Sequence, residues 1–227
     1  MVTAYAKTLT QVVDDTLRFC NDFKGTGADG VTWTWAEVKG RASQLLIDLV
    51  RKTGCLRATA TIILAAGTSV YNLPSDCIRP LRFTFDGFDG TLVLPRTISE
   101  LDLQGVELST SGDPYYFMRD TLGPSQIAVY PKPQTAGDPA TEEGNVIVTY
   151  VCAPAAWTTN GASPDAGIPE WIHKDLKYGL AEMILPMSDK PLPVQKLIRA
   201  KVKWAKAIID LQGWIEHQGP MVGVEPI

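Results

Sequence analysis

The run Ala65-Ala66-Gly67-Thr68-Ser69-Val70-Tyr71-Asn72-Leu73-Pro74-Ser75-Asp76-Cys77-Ile78-Arg79-Pro80-Leu81 sets the architecture of the chain. An apolar strand, Thr61 to Leu64, runs into Gly67. A short strand then carries Val70, Tyr71 and Leu73, a Pro-Ser-Asp turn follows, and Ile78 to Phe85 leaves as another strand. Pro74 fixes φ and lacks an N–H, so strand pairing ends there. Asp76 is of the type that hydrogen-bonds turn amides. The pattern predicts a corner in a small β domain, with helical segments before and after it.

Further strands follow from β-branched and aromatic runs between turn residues. They are expected at Thr59–Leu64, Val70–Leu73, Ile78–Phe85, Thr91–Leu94, Tyr115–Arg119, Gln126–Tyr130 and Val146–Cys152. The third and fourth form a hairpin through Asp86 to Gly90, and Ile98 to Leu103 reads as a short inserted helix. Seven short strands suit an antiparallel sandwich or open barrel. Pro133 to Gly144 is polar and reads as an exposed tip. Ala153 to Gly167 is irregular and contains Trp157, which is either a core plug or an interface anchor.

Helices flank this region. Leu9, Val12, Val13, Leu17 and Cys20 recur at spacings of three and four, predicting a helix over Leu9 to Asn21 with Asp14, Asp15 and Arg18 on its surface. Thr34 and Glu37 form a capping box that starts a second helix running to about Lys52 and stopped by Gly54. Its inward face is Trp35, Val38, Ala42, Leu45, Leu46, Leu49 and Val50. Pro169 begins a third helix, to Leu185. A fourth runs from Val194 to Ile215, with Leu197, Ile198, Val202, Ala205, Ile208, Ile209 and Leu211 as its inward stripe. Lys196, Arg199, Lys201, Lys203 and Lys206 make one flank basic: a solvated face, or one turned to an acidic partner or to DNA. The tail beyond His217 has no periodicity. It reads either as a peptide docking on a partner or as an end folded onto its own chain.

The fold class is therefore α+β. Residues 1–57 and 166–216 form a helical bundle, and residues 58–153 form an inserted antiparallel β-sandwich or barrel-like domain. Residues 154–165 make a linker loop and residues 217–227 an extended C-terminal arm.

Composition narrows the function. Twenty-one basic against 25 acidic residues give −4, which argues against a general phosphate-backbone binder. No apolar run reaches the ~18 to 20 residues that span a bilayer. Met1 to Lys7 lacks a secretory signal pattern. Cys20, Cys55, Cys77 and Cys152 are widely spaced, without C-x-x-C, and read as buried free thiols of a reducing cytoplasm. The loop Gly25 to Gly30 lacks the Lys-Ser/Thr of a phosphate cradle and reads as a helix connector. The two histidines, His173 and His217, have no metal spacing, and no nucleophile or zinc motif is present. The sequence thus predicts no catalytic residue, no metal and no cofactor. Trp33 and Trp157, if exposed, would suit a sugar platform on a β-sandwich carbohydrate-binding module, the reading from a different class.

Several motifs, in order, resemble the head-to-tail adaptor (head-completion or connector) proteins of tailed bacteriophages. They are Ala66-Gly67 through Asp76 as AGxxxYxLPxD, Gly112-Asp113-Pro114-Tyr115-Tyr116, Val129-Tyr130-Pro131-Lys132-Pro133, the strand Val146 to Tyr150, and Ile168 to Leu176 as a helix start. The resemblance covers roughly Leu9 to Trp214. It implies a structural virion protein, assembled in the host cytoplasm and located at the head–tail interface. It implies a homo-oligomeric ring of twelve subunits below the portal, extending the DNA channel and giving tail or nozzle proteins a platform, with no membrane contact. DNA would pass without sequence-specific binding. Trp214, Ile215, Met221, Val222, Val224 and Ile227 would form the portal-binding arm, and Asp86, Phe88, Asp89, Pro133, Asp138 and Trp157 the loops facing neighbours or the tail. The alternative within virions is a tail-tube or tail-completion protein.

Overall fold

Thr8 opens the first helix: its hydroxyl accepts from the Gln11 amide while the Gln11 side chain accepts from the Thr8 amide. This reciprocal cap satisfies two of the amides a helix start leaves open. In the computed structural model α1 spans Leu9–Cys20 and ends at Asn21, which takes the left-handed conformation at φ 61°. The structure describes all residues except 1–5, 31, 86–90, 98, 101–109, 119–124, 139–143, 165–166, 188–193 and 219–227. The second helix, α2 (Trp35–Thr53), starts on the expected Thr34–Glu37 box and stops at Gly54 at φ 67°. Two more follow, α3 (Leu176–Ile184) and α4 (Val194–Gln218).

The chain divides into two compact units. One takes the residues up to Leu56 and resumes at Ala153; the other holds Arg57–Cys152. In the first, α3 is central and touches α1, α2 and α4. Its Leu176, Gly179, Leu180, Ala181 and Ile184 are buried. Gly179 decides how close its neighbours come. A Cβ there would stand 2.5 Å from the Leu45 Cδ1 of α2 and 2.8 Å from the Trp204 ring of α4. Phe19 of α1 meets Tyr178 of α3 edge-on at 5.3 Å.

The expected continuous helix from Pro169 to Leu185 is broken. Glu170–Ile172 forms one 3-10 turn, His173 to Asp175 are turn, and α3 begins at Leu176. His173 lies in the break. It is buried, accepts from the Lys7 amide at Nδ1 (3.3 Å), and places Nε2 3.3 Å from the Ile168 carbonyl. An N–H donor at Nδ1 and an acceptor at Nε2 fix the neutral imidazole with its proton on Nε2. Asp14 is a second correction. It is buried rather than on the surface, and its Oδ1 accepts from the Gly27 amide and the Trp35 indole.

The β unit contains β1 (Arg57–Ile62), β2 (Val70–Asn72), β3 (Cys77–Phe85), β4 (Thr91–Pro95), β5 (Tyr116–Met118), β6 (Gln126–Tyr130) and β7 (Val146–Cys152). Their order is β1-β7-β3-β4-β5-β6-β2. All pairs are antiparallel except β4–β5, which is parallel and departs from the expected all-antiparallel pattern. The strand β4 changes partner along its length: its first residues pair with β3, and Leu94 and Pro95 pair with β5. The inner residues of the two halves share one cluster, with Ile62, Phe83, Val146 and Val148 from one and Leu73, Ile127 and Val129 from the other. The first strand ends two residues before the expected Leu64. The Leu64 amide leaves the ladder to donate to the side chain of Asn145, which is fully buried. The short helix expected at Ile98 to Leu103 lies mostly outside the described residues. At its start the Thr97 amide donates to Glu100 and the Glu100 amide to Thr97.

Two outcomes are expected. Gly179→Ala gains helix propensity of about 1 kcal/mol, but its methyl must displace Leu45 and Trp204, an overpacking that costs about 1–3 kcal/mol. A net fall in the denaturant midpoint is expected, and an unchanged or higher midpoint would show that α2 and α4 yield freely. Burial holds the His173 pKa below its ordinary 6.5, and the Lys7 amide at Nδ1 leaves no acceptor for a second proton. The unfolded chain therefore binds that proton more readily, and stability falls as pH drops through 6.5. Unfolding midpoints taken between about pH 7.5 and about pH 5.5 should decline in the wild type and decline less in His173→Gln.

Candidate assembly surface

The motif residues of the β unit bind one another. The Tyr71 hydroxyl accepts from the Ala65 amide and lies 2.8 Å from the Thr68 carbonyl, clamping the turn that contains Gly67 at φ 72°. The Gly67 amide donates to the Pro133 carbonyl, the Gly112 amide to Lys132, and the Tyr115 amide to Tyr130. Asp76, expected to hold turn amides, instead accepts from the Tyr150 hydroxyl at 3.0 Å. Burial, then the Asp76 hydrogen bond, push the Tyr150 phenol pKa far up, so it remains a donor. These residues fasten loops to strands, and their polar groups are occupied by the chain itself.

The glycine-rich loop is likewise committed. The Gly27 amide goes to Asp14, the Thr32 and Trp33 amides to Asp22, and the Trp35 amide to Asp29. Carboxylates sit where a phosphate would have to bind, so the loop is a helix connector. Among the described residues no cluster of three His, Cys, Asp or Glu could hold a metal. Also among them, no helix is long and apolar enough to cross a membrane.

The expected contact residues fall unevenly. Asp86, Phe88, Asp89, Met221, Val222, Val224 and Ile227 lie outside the described residues. Trp214 and Ile215 are half-buried near the end of α4. Asp138 is exposed, and its carbonyl accepts from Asn145. Pro133 is buried rather than part of an exposed tip, because the hydrogen bonds from Gly67 to Pro133 and from Gly137 to Leu64 pull this segment inward. Trp157 is a core plug, only 4% exposed, with its amide on Ser43 and its indole on the Ala162 carbonyl. Trp33 is half-buried and its indole nitrogen fully so. A sugar platform built on these two rings loses its surface.

The surface that sequence reasoning missed is on α4. Its buried side is Ala200, Trp204, Ala207 and Leu211, spaced by four, three and four. Of the stripe expected inside, Leu211 is buried, but Ile198, Val202 and Ile209 are 55%, 63% and 64% accessible and Ala205 is exposed, as is Val194 at the helix start. Ile198, Val202, Ala205 and Ile209 repeat at four, three and four along the opposite side. Heptad spacing of this kind makes a seam that another element can cover. Arg199, Lys201 and Lys206 are exposed beside it. The helix is apolar on two sides. Helical periodicity alone ranks the larger Ile and Val residues as core, while packing against Gly179 selects the Trp204 side.

The sequence profile of the SU10 adaptor protein family matches residues 7–221. No curated protein matches the chain.

Proposed function

This chain belongs to the SU10 adaptor protein family, a family of phage head-to-tail adaptors, and from that premise we propose that it assembles into a ring of twelve copies below the portal. The ring extends the DNA channel and gives tail or nozzle proteins their platform. It is a structural role at the head–tail interface of the virion, taken up in the host cytoplasm, and DNA passes without being read. The tail-tube reading is weaker, because four helices accompany the β unit among the described residues. A sandwich- or barrel-like β unit is supported by the partner change along β4 and by the core cluster to which both halves of the sheet contribute. A compact inserted unit would present its loops, including Asp138 and the Asp86 to Gly90 segment, to neighbours or to the tail.

The observation that carries assembly is the exposed seam of α4. Its charge argues for the occupant. The helix holds five Lys or Arg against two acidic residues, net +3, in a chain of net −4, so the remainder carries −7. Two α4 seams face to face would oppose Arg199, Lys201 and Lys206 with their own copies. A contact between α4 of one copy and the acidic remainder of the next is complementary, and such heterologous contacts form a ring when the rotation between copies closes. The arm from Trp214 onward then reaches the portal.

Light scattering of the pure protein, alone and with the portal of the same virus, tests the reading. A 24.7 kDa monomer that joins the portal in a stoichiometric ring is expected, and a protein that ignores the portal sinks the adaptor role. Ile198→Glu with Val202→Glu should keep the circular dichroism and melting of the wild type, since both side chains are exposed, yet fail to form the ring. Full ring assembly by that variant would move the interface away from α4. Deleting Gln218 to Ile227 should leave a folded monomer that no longer binds portal, and normal binding would remove the arm from the reading.

A further inference from the structure

Cys77 opens β3 and Cys152 closes β7, and they are register partners at the end of the antiparallel ladder, next to a register irregularity between Cys77 and Arg79. Directly opposed residues in such a pair have Cα separations of about 4.5 to 5.5 Å, and their side chains leave the same face of the sheet. A disulfide needs about 4.4 to 6.8 Å between Cα atoms. Both thiols are half-buried rather than sealed. They also lie near one common point, because each acts electrostatically on the Tyr150 hydroxyl. The other two cysteines are buried. Burial pushes the Cys20 thiol up to about 12, so the thiolate that would attack a disulfide is scarce there.

We propose that Cys77 and Cys152 form a dithiol site that a small disulfide of the oxidised-glutathione class converts into a cross-strand disulfide. One cysteine thiolate attacks a sulfur of the small disulfide and expels a small thiolate, leaving a mixed disulfide. The opposed cysteine thiolate attacks the protein sulfur of that intermediate and expels the second small thiolate. Two protein thiols are oxidised, one small disulfide is reduced to two small thiols, and the two protons lost by the protein go to them. In a compartment where glutathione is kept reduced the pair stays as thiols; in an oxidising medium it closes. Closure joins the start of β3 to the end of β7 and restricts the unfolded chain over nearly the whole β unit. The inference stands on the β3–β7 register and does not depend on the assembly reading.

The test uses the full chain in excess oxidised glutathione at neutral pH, quenched by alkylation in denaturant, digested and mapped by mass spectrometry. Titratable thiols should fall from four to two, with the Cys77 peptide joined to the Cys152 peptide and the intact mass lowered by two hydrogens. The oxidised protein should unfold at higher denaturant than the reduced one, and Cys77→Ser or Cys152→Ser should abolish both the link and the shift. Retention of four thiols, stable glutathione adducts on either cysteine, or a link to Cys20 or Cys55 would overturn the proposal. The wild-type map decides the matter even where a serine variant fails to fold.

Discussion

The missing side chain of Gly179 is the constraint on which the helical unit depends. The space a Cβ would take is filled by Leu45 from α2 and the Trp204 ring from α4. Helix α2 precedes the β segment in the chain, and α3 and α4 follow it. Their close approach on one glycine makes a single core from the two ends of the chain. The residues between, Arg57–Cys152, must therefore leave that core and return to it. An unpaired glycine in a helix interior carries an entropic penalty of roughly 1 kcal/mol relative to alanine. Here dense packing on both sides offsets it.

The same packing decides which side of α4 meets solvent. Trp204 is flanked by the small Ala200 and Ala207 on the buried face of α4, and its ring occupies the space beside Gly179. The bulkier Val and Ile residues are left outside, bordered by cations. An exposed apolar seam is costly in water and is the kind of feature that association removes. The charge asymmetry of the chain, basic on α4 and acidic elsewhere, is the ground on which the proposed assembly uses a heterologous contact and not a self-paired one.

The motifs of the β unit have a different logic. Tyr71, Asp76, Gly112, Pro133 and Tyr150 recur as spaced turn and strand residues in the sequence, and each satisfies another part of the same unit. Loops between short strands expose backbone donors, and buried donors must be paired. Asn145 shows the rule at its strictest, fully buried and holding both the Leu64 amide and the Asp138 carbonyl. Residues of this kind keep corners in place, which accounts for a recognisable pattern of turn and strand residues.

The sequence by itself determined the local features. The cap at Thr34, the stops at Asn21 and Gly54, the apolar faces of α1 and α2, and the extents of β6 and β7 all follow from interactions within a few residues. The family pattern was also legible, because turn chemistry is written in Gly, Pro, Tyr and Asp at fixed spacing. Only the tertiary structure decided the burial of Asp14, His173, Pro133 and Trp157, the break before α3, the parallel β4–β5 pair and the outward face of α4. These depend on partners far along the chain: Lys7 for His173, Ser43 for Trp157, Gly67 for Pro133, Gly179 for Trp204. Periodicity reports that a helix has an apolar side. It does not report which of two apolar sides finds a surface shaped to receive it, since that shape is made by residues brought together only on folding.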